Sequence, residues 1–568
     1  MDYGQTNLRW AKAFIDGLAA GGVRHIVVSP GSRSTPLILA CTDRHDLKVW
    51  VLPDERSAAF FALGLGKGGQ EPAAVIGTSG TAPANWYPAV IEAAHDFQPL
   101  ILVSADRPAE LQDSGANQTI DQTRLFGTHV RAFVALPHAE MSEQALRYVG
   151  SVGMRSVDQC CWPVPGPVHI NVPLREPLVS TDALPASDTG TDQSINIDYP
   201  RLAPSRKEVT ALATWLGGRR GVIVCGRGNY DSDFATAVTA LARQVACPIF
   251  ADPLSGLRTG EHDRSHVIVH YDAFLRRPQF VKSNRADWIL QFGGVPTSKA
   301  LQQYLDKLST GNIAVVVPHG PWPDPQHRAG RVLHVDPTLL CRQLGAADIT
   351  STPPAWTDGF LSEERRARET ITRYENDLPL EATVLQQLMR SSPGNTVVFG
   401  GNSMVMRDLD SFFSGSAHAL RLLGNRGTSG IDGNVSTVLG IAAATDDPVV
   451  GLLGDLALYH DMNGLIAAKG LSATLVVFNN DGGAIFGYLP QEQLPDFERY
   501  WLTPSGLDFA QVAKLYGLRH WRVHNAHAFD TALVKSLEGT GVGLIEVVVD
   551  REDSLKRHRL YWRRIAEG

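Results

Sequence analysis

Short apolar runs recur along the chain, and each stops at Gly, Ser, Pro or a polar residue before a stretch with helical periodicity. Such runs are typical of strands buried in parallel sheets, which have loops at their carboxyl ends and helices between them. The candidate strands are HIVVSPGS (25–32), VWVL (49–52), AAVIGTSG (73–80), LILVSADRP (100–108), GVIVCG (221–226), DWILQFGG (287–294), IAVVVP (313–318), TVVFGGNS (396–403), PVVGLLGD (448–455), ATLVVFNND (473–481) and GLIEVVVD (543–550). Helices are expected between them, for example over 56–66 and 85–96.

The runs fall into three blocks, which predicts an α/β protein built from three doubly wound parallel-sheet domains. We expect these domains at residues 1–180, 207–350 and 380–568. The segment 178–206 is rich in Ser, Thr, Asp and Pro and is predicted to be a linker, and the polar stretch 349–358 marks a second boundary.

Composition excludes several classes of protein. The chain has 568 residues, 43% of them hydrophobic, so it needs neither disorder nor a disulfide framework. With 52 Lys and Arg against 59 Asp and Glu, its net charge of −7 argues against broad nucleic-acid binding. The six Cys include the adjacent pair Cys160 and Cys161, and we expect reduced thiols. A signal-peptide pattern and a long apolar span are both missing, so the expected location is the cytoplasm, with no membrane span.

The strongest chemical signal lies in the last block. One apolar run ends in Gly454-Asp455, and the next run ends in Asn479-Asn480, one strand–helix–strand unit later. This connection places the carboxylate and the amide at the same edge of a parallel sheet. Such oxygen ligands suit Mg²⁺ together with a diphosphate. The alternative is an ordinary strand–turn–helix in which Asp and Asn have no ligand.

This pair of motifs resembles the signature of thiamine diphosphate (ThDP) enzymes. The resemblance implies that ThDP and Mg²⁺ (or Mn²⁺) are the cofactors, with Asp455, Asn480 and the carbonyl of Gly482 as metal ligands. Gly454 and Leu456 would adjoin the diphosphate, although the family usually has Gly where this chain has Leu456. The last block would then be the diphosphate-binding (PP) domain.

The first block resembles the pyrimidine-binding (PYR) domain of the same enzymes, through PDERSAA (53–59) and the stretch beginning GTSGTAPANW (77–86). In that family one Glu hydrogen-bonds the pyrimidine N1′ and starts the proton relay that activates the thiazolium C2. Glu55 matches this residue and would be catalytic, since an apolar neighbourhood favours a carboxyl that shares a proton with a ring nitrogen. The alternative is a Glu that only stabilises the start of a helix.

Arginines follow several predicted strands, in SPGSRSTPL (29–37), SADRP (104–108), GNSMVMRDLD (401–410) and NRGTSGIDG (425–433). A single one is most simply a surface ion pair, but several at strand ends suggest substrates with more than one carboxylate. These stretches resemble the 2-succinyl-5-enolpyruvyl-6-hydroxy-3-cyclohexene-1-carboxylate (SEPHCHC) synthases over essentially the whole chain. The resemblance implies a transferase of menaquinone or phylloquinone biosynthesis. It would decarboxylate 2-oxoglutarate on ThDP and add the resulting carbanion to isochorismate in a 1,4-addition.

The same resemblance implies roles for individual residues. Ile431 would hold the bent cofactor, with Ser429 beside it, and Arg407 and Arg426 would bind substrate carboxylates. The remaining substrate-binding candidates are Ser32, Arg33, Arg107, Asn117, Gln118, Lys299, Asn402, Ser403 and Phe486. One departure is Ala300, which stands where the family often has Arg and leaves Lys299 without a second positive charge.

Several alternatives stay open at this point. Another ThDP-dependent decarboxylase or carboligase, of the acetohydroxyacid synthase type, would act on pyruvate and need fewer arginines. A thiamine-binding regulatory protein would not need both Glu55 and the Asp455–Asn480 pair. A nicotinamide oxidoreductase is disfavoured because Gly226-Arg227-Gly228 lacks the rest of the dinucleotide fingerprint, so the middle domain is expected to be structural. The family also implies a homodimer or homotetramer with active sites at subunit interfaces.

Overall fold

The computed structural model describes residues 2–180, 195–308, 311–416 and 418–567. The predicted linker at 178–206 lies partly outside these ranges. The described residues form three six-stranded sheets in which every strand pairing is parallel, so the predicted fold class is confirmed. The domain boundaries proposed from the sequence stay a prediction.

The N-terminal sheet is built from the first block. Its strands are β1 (His25–Val28), β2 (Lys48–Val51), β3 (Ala73–Gly77), β4 (Leu100–Asp106), β5 (Ala132–Ala135) and β6 (Pro167–Pro173). Their spatial order is β2-β1-β3-β4-β6-β5. The helices are α1 (Tyr3–Ala20), α2 (Thr35–Thr42), α3 (Glu55–Gly69), α4 (Tyr87–His95) and α5 (Glu143–Cys161). The buried strands β3 and β4 are almost wholly apolar, as strands covered on both faces must be.

The middle sheet has the order β12-β11-β10-β7-β8-β9. Its strands are β7 (Gly221–Cys225), β8 (Ile249–Ala251), β9 (Val267–Ile268), β10 (Trp288–Phe292), β11 (Ile313–Val317) and β12 (Ala329–His334). Its helices are α6 (Arg206–Leu216), α7 (Phe234–Val245), α8 (Tyr271–Phe274), α9 (Pro278–Ser283), α10 (Lys299–Leu305), α11 (Pro337–Gly345) and α12 (Pro354–Arg373). At the carboxyl edge of this sheet the Tyr230 hydroxyl donates to the carbonyl of Gly226. The Tyr230 side chain therefore lies at the position where dinucleotide-binding folds have an open crevice for their ligand.

The C-terminal sheet has the order β14-β13-β15-β16-β18-β17. Its strands are β13 (Val397–Gly400), β14 (Arg421–Leu423), β15 (Val449–Gly454), β16 (Ala473–Asn479), β17 (Arg519–Val523) and β18 (Val542–Val548). Its helices are α13 (Leu380–Ser391), α14 (Met404–Phe412), α15 (Asn434–Ala444), α16 (Asp455–His460), α17 (Phe509–Tyr516), α18 (Ala526–Glu538) and α19 (Arg551–Glu567). In the parallel pairing of β15 with β16, Gly454 lies opposite Phe478, so the carboxyl ends of these two strands are side by side.

The N-terminal and C-terminal sheets share one apolar core, in which α3 packs directly on α15. Two glycines permit this close approach: a Cβ on Gly64 would lie 2.2 Å from the carbonyl oxygen of Thr437, and one on Gly440 would lie 2.1 Å from that of Phe61. The helix that begins at Glu55 is therefore fixed against the C-terminal sheet of its own chain.

Two further expectations concern the whole chain. Within the described ranges, no helix combines the length and apolarity needed to cross a membrane. All six cysteines are free, and most of them are buried.

Candidate active site

Asp455 lies at the carboxyl end of a central strand of the C-terminal sheet, where β15 ends and α16 begins. Its carboxyl Oδ1 accepts a hydrogen bond from the backbone N–H of Leu456, and its Oδ2 accepts one from that of Gly482, each at 2.7 Å. Burial raises the pKa of Asp455 to about 6, although these two N–H groups act to lower it. The carboxyl is thus fixed toward the loop that follows the neighbouring strand β16.

The loop after β16 has an unusual backbone. Asp481 and Gly482 both have positive φ, +54° and +129°. A Cβ on Gly482 would lie 2.1 Å from the carbonyl oxygen of Leu502, so only glycine fits this position. The side-chain Oδ1 of Asn480 is buried and accepts no hydrogen bond from any residue that the structure describes. Buried polar atoms are nearly always paired, so this oxygen indicates a missing partner.

These residues fit a divalent cation and a diphosphate. Asp455 supplies a carboxylate and Asn480 supplies an unpaired amide oxygen, both of which are ligands that Mg²⁺ or Mn²⁺ accepts. A Cβ built on Gly454 would meet no atom within 4 Å, so open space adjoins the end of β15. Within the described ranges no cluster of three or more His, Cys, Asp and Glu side chains could hold a metal, so this site would depend on amide and carbonyl oxygens.

Asn402 joins two loops at the same sheet edge. Its Nδ2 donates to the carbonyl oxygens of Asn425 and Gly430, both at 2.7 Å, and its Oδ1 accepts from Nη1 of Arg426 at 2.8 Å. Burial lowers the pKa of Arg426. The segment from Asn425 to Gly430 is therefore held in place by the loop that follows β13.

The residues flanking Arg426 are placed by that segment. Ser429 has a positive φ of +62° and is exposed, and Ile431 is half-buried and belongs to none of the apolar cores. A half-exposed apolar side chain that belongs to no core suits a residue that contacts a bound cofactor.

Arg407 lies one turn into α14, close to Arg426. Its Nη1 donates to the carbonyl oxygen of Ser403 at 2.7 Å, and Ser403 has a positive φ of +66°. The surrounding protein atoms and the positive charge of Arg426 lower the pKa of Arg407, although the residue is exposed as a whole. Two neighbouring guanidinium groups favour an anionic ligand, although the buried carboxyl of Asp410 acts on both of them.

A second group of candidates gathers at the carboxyl edge of the N-terminal sheet. Arg33 is buried and donates to Glu176 and to the carbonyl oxygen of Leu174. Arg107 donates to the hydroxyl of Ser79, and burial together with the charge of Arg33 lowers its pKa. Gln118 bonds the backbone of Ser79 through its side-chain amide.

Ser32 and Asn117 are exposed at this edge. Part of the charge of Arg33 is already paired with Glu176. Within the described ranges, no hydrogen bond or ion pair joins this group to the C-terminal candidates.

Glu55 is the first residue of α3, as predicted. Asp54 caps this helix, because its carboxyl accepts from the N–H of Ser57, so Glu55 is not needed as the cap. Glu55 is half-buried, and its side chain makes no hydrogen bond or ion pair with the described residues. Its neighbour Arg56 instead donates to the carbonyl oxygen of His460 at 2.7 Å.

The last two candidates lie on separate elements. Lys299 is exposed at the start of α10, and the side chain of Ala300 is buried in the apolar core. Phe486 is half-buried, and its ring lies against Gly483 in the loop after Asn480.

Comparison with known proteins shows which kinds of domain the chain contains. Three family models match it: "Thiamine pyrophosphate enzyme, N-terminal TPP binding domain" over 8–125, "Middle domain of thiamine pyrophosphate" over 197–399 and "Thiamine pyrophosphate enzyme, C-terminal TPP binding domain" over 409–547. The chain therefore carries thiamine diphosphate-binding domains. A benzoylformate decarboxylase structure from Polynucleobacter necessarius covers 95% of the chain and is itself covered to 98%, with a TM-score of 0.68 and 17% identity, which shows the fold alone.

Full-length relatives decide the family. The 2-succinyl-5-enolpyruvyl-6-hydroxy-3-cyclohexene-1-carboxylate synthase of Dechloromonas aromatica is 40% identical, covering 96% of this chain and 99% of the relative. The synthases of Geobacillus kaustophilus and Halobacterium salinarum are each 42% identical, covering 98% of this chain and 97% of each relative. The chain belongs to the SEPHCHC synthase family. The resemblance inferred from the strand-end motifs is confirmed.

One residue beside the candidate site of this SEPHCHC synthase family member did not emerge from the sequence. Glu92 is buried in α4, and its carboxyl accepts from the backbone N–H groups of Gly427 and Thr428, next to Arg426. The signal was a single Glu in the apolar run AVIEAA, which is an unusual position for a charge. Nothing in the sequence indicates which segment this carboxyl contacts.

Proposed function

We propose that the protein is a SEPHCHC synthase: it decarboxylates 2-oxoglutarate and joins the remaining four-carbon unit to isochorismate by 1,4-addition, releasing CO₂. The observation that carries the proposal is the full-length identity of about 40% to synthases of that name. The paired arginines beside the Asp455–Asn480 edge support it, since both substrates are dicarboxylates. The product would enter menaquinone or phylloquinone biosynthesis.

Asp455, Asn480 and the carbonyl of Gly482 would hold Mg²⁺ or Mn²⁺, and Gly454 would leave room for the diphosphate. When bound, thiamine diphosphate supplies the electron sink that lets the carboxyl group of the 2-oxo acid leave as CO₂. Ile431 would shape the cofactor's contact surface, with Ser429 and Leu456 beside it, and Glu55 would hold a proton at the pyrimidine N1′ position.

Substrate orientation would fall to the charged and polar groups of the two sheet edges. Arg407 and Arg426 would bind carboxylates of 2-oxoglutarate, because a guanidinium can pair with a carboxylate through two parallel hydrogen bonds. The N-terminal group would surround isochorismate: Ser32, Arg33, Arg107, Asn117 and Gln118. Asn402 would keep Arg426 in position, with Ser403, Lys299 and Phe486 completing the surroundings.

We further propose a homodimer or homotetramer in which Glu55 of one subunit acts at the Asp455 site of its partner. Large apolar side chains exposed on the single chain support association: Val51 at 63%, Tyr459 at 54% and Leu515 at 72%. The free cysteines support a reducing compartment, so the proposed location is the cytoplasm.

The deciding experiment incubates the purified protein with ThDP, Mg²⁺, 2-oxoglutarate and isochorismate, and identifies the product by mass spectrometry. We expect SEPHCHC and one CO₂ per turnover, and no product from a parallel sample that contains the Asp455→Ala variant. A second sample replaces 2-oxoglutarate with pyruvate. If turnover occurred with pyruvate and not with 2-oxoglutarate, the acetohydroxyacid synthase alternative would replace this proposal.

A further inference from the structure

A buried glutamate of the N-terminal domain binds the backbone of the loop that carries Arg426. Glu92 is only 2% exposed. Its Oε1 accepts from the N–H of Gly427 at 2.7 Å, and its Oε2 accepts from the N–H of Thr428 at 2.7 Å and from the Thr428 hydroxyl at 3.1 Å. Both carboxyl oxygens of Glu92 thus accept hydrogen bonds from two consecutive residues of one loop.

The local packing is built for this contact. A Cβ on Gly427 would lie 2.4 Å from the carbonyl oxygen of Glu92 and 3.0 Å from its Oε2, so glycine is what allows the loop to approach α4. Two positively charged groups lie near the carboxyl: burial lowers the pKa values of Lys67 and Arg426, and the negative charge of Glu92 acts against that lowering. Lys67 nevertheless directs its ammonium group to Asp96 and to the carbonyl oxygen of Gly424, not to Glu92.

A buried carboxyl is costly unless it is well hydrogen-bonded. The hydrogen bonds of the Glu92 carboxyl that the structure describes all come from Gly427 and Thr428, so the effect of this carboxyl is concentrated on the geometry of this loop. Asn402 holds the same loop from the other side, through Asn425 and Gly430. The segment between these two anchors contains Arg426 and leads directly to Ile431.

We propose that Glu92 is a positioning residue that fixes the loop 425–431 and thereby sets the affinity of Arg426 for the carboxylate of the 2-oxo acid. This inference rests on the proposed function, because it concerns how Arg426 meets that substrate. Glu92 does not touch the substrate itself; it acts through the backbone of Gly427 and Thr428.

The test compares Glu92→Gln with Glu364→Gln. Glu364 is a matched control, since its Oε2 also accepts two consecutive backbone N–H groups, those of Val269 and His270, in the middle domain. Two readouts are needed: hydrogen–deuterium exchange of the peptide covering 425–431, and the KM and kcat for 2-oxoglutarate. Thr428→Val is a milder variant that removes only the hydroxyl contact and keeps both N–H groups.

We expect Glu92→Gln to speed amide exchange in 425–431 and to raise the KM for 2-oxoglutarate about ten-fold or more, since hydrogen bonds to a charged group are strong. The kcat should fall by a smaller factor. Thr428→Val should shift both readouts in the same direction but less, and Glu364→Gln should speed exchange near 269–270 and leave the KM unchanged.

Wild-type exchange at 425–431 and a wild-type KM in Glu92→Gln would overturn the inference, as would an equal rise in KM for Glu364→Gln. If Glu92→Gln does not fold, Thr428→Val decides alone by the same two readouts. The exchange readout needs no turnover, so it also separates the two proposals: a wild-type protein inactive on 2-oxoglutarate would overturn the proposed function, whereas unchanged exchange overturns the role of Glu92.

Discussion

At the C-terminal sheet edge, backbone geometry brings together single residues that would fit a metal ion. The carboxyl of Asp455 is buried against two N–H groups, and the amide oxygen of Asn480, on the adjoining strand end, has no partner among the described residues. A cation between them would compensate the buried carboxylate and pair the amide oxygen at once. The two residues therefore fit each other as ligands better than as independent structural groups.

Asp455→Ala is expected to lower metal affinity by roughly 100-fold or more, since even indirect partners of metal ligands are worth about 10–100-fold. Because the diphosphate charge would lose its bridging cation, ThDP binding in calorimetric titration with Mg²⁺ should become undetectable. Asp446→Ala is the matched control, as Asp446 is an exposed carboxylate just before the amino end of the same strand, β15. Equal ThDP affinity in both variants would contradict the assignment.

The two neighbouring arginines give a second residue-scale prediction. Arg426→Ala and Arg407→Ala should each reduce kcat/KM for 2-oxoglutarate, because losing the partner of a desolvated carboxylate costs roughly 2–5 kcal/mol. ThDP affinity should stay nearly intact. Arg147→Ala is the control: this arginine is exposed and pairs with Glu143 one turn away, a contact worth about 0–1 kcal/mol. A near wild-type kcat/KM for 2-oxoglutarate in both test variants would show that neither Arg407 nor Arg426 binds this substrate.

Most residue-scale candidates were visible in the sequence because their motifs follow apolar strands. Asp455 and Asn480 are examples, since the connection between parallel strands dictates where the next strand ends. Glu92 was not visible as a partner of this site, because its contact with Gly427 depends on how two sheets of distant sequence pack together. The pairing of Arg33 with Glu176 is hidden from the sequence for the same reason.

At the scale of elements, the apolar runs located most of the central strands, but the buried inner strands β6 and β8 were not among them. The run 473–481 corresponds to β16 (Ala473–Asn479) and the run 448–455 to β15 (Val449–Gly454). Edge strands such as β5 and β17 were also missed, because they are mostly only partly buried, the apolar run of β5 has only 4 residues, and β17 mixes basic with apolar residues. The prediction of one helix after Asp455 was also too simple, since α16 ends at His460 and a separate 3₁₀ helix follows over Met462–Ala468.

The C-terminal helix α19 is docked onto α14, the helix that carries Arg407, by a buried charged network. His558 lies 2.9 Å from Oδ1 of Asp408, and Ser554 donates to Glu381. Burial acts to lower the pKa of His558, but Asp408 and Glu381 outweigh it and raise the pKa to about 9. Besides these two carboxyls, the ring of Tyr488 faces His558 edge-on.

This network makes stability depend on pH. Because its folded pKa is raised, His558 contributes stability that is fully present below its ordinary pKa of 6.5 and is lost as pH rises through about 9. We expect the Tm of the wild type to fall between pH 7 and pH 10, and His558→Gln to lose much of this pH dependence. His524→Gln, at an exposed position, is the control. An unchanged slope in His558→Gln would show that the dependence arises elsewhere.

At the scale of the whole molecule, the question is whether Glu55 would act together with Asp455 of its own chain or with Asp455 of a partner subunit. Within one chain, the first turn of α3 is already bound to the segment after α16: Arg56 donates to the carbonyl oxygen of His460, and Asn463 donates to Asp54. Asp455 lies at the opposite end of α16, a helix of 6 residues, about 9 Å away along its axis. These contacts hold the first turn of α3 beside the His460 end of that helix, which supports the proposal that Glu55 acts at the Asp455 site of a partner subunit.

A site shared between subunits predicts complementation. Glu55→Gln alone should lower the rate about 10²–10⁴-fold, as loss of a general acid–base group does, and Asp455→Ala should be inactive. In a mixed dimer, one site would combine both defects, and the other would combine an intact Glu55 with an intact Asp455. Since random reassembly of equal amounts makes about half of the dimers mixed, activity should recover to about a quarter of the wild-type value.

The measurement is SEPHCHC formation after the two variants are dissociated, mixed and reassembled, with each variant treated alone as the control. Sites contained within one chain would give no recovery, because every chain in the mixture carries one defect. Sedimentation at the assay concentration completes the test, since a fully active monomer would also exclude a shared site. Recovery in the mixture, with none in either variant alone, assigns Glu55 and Asp455 to opposite subunits of one active site.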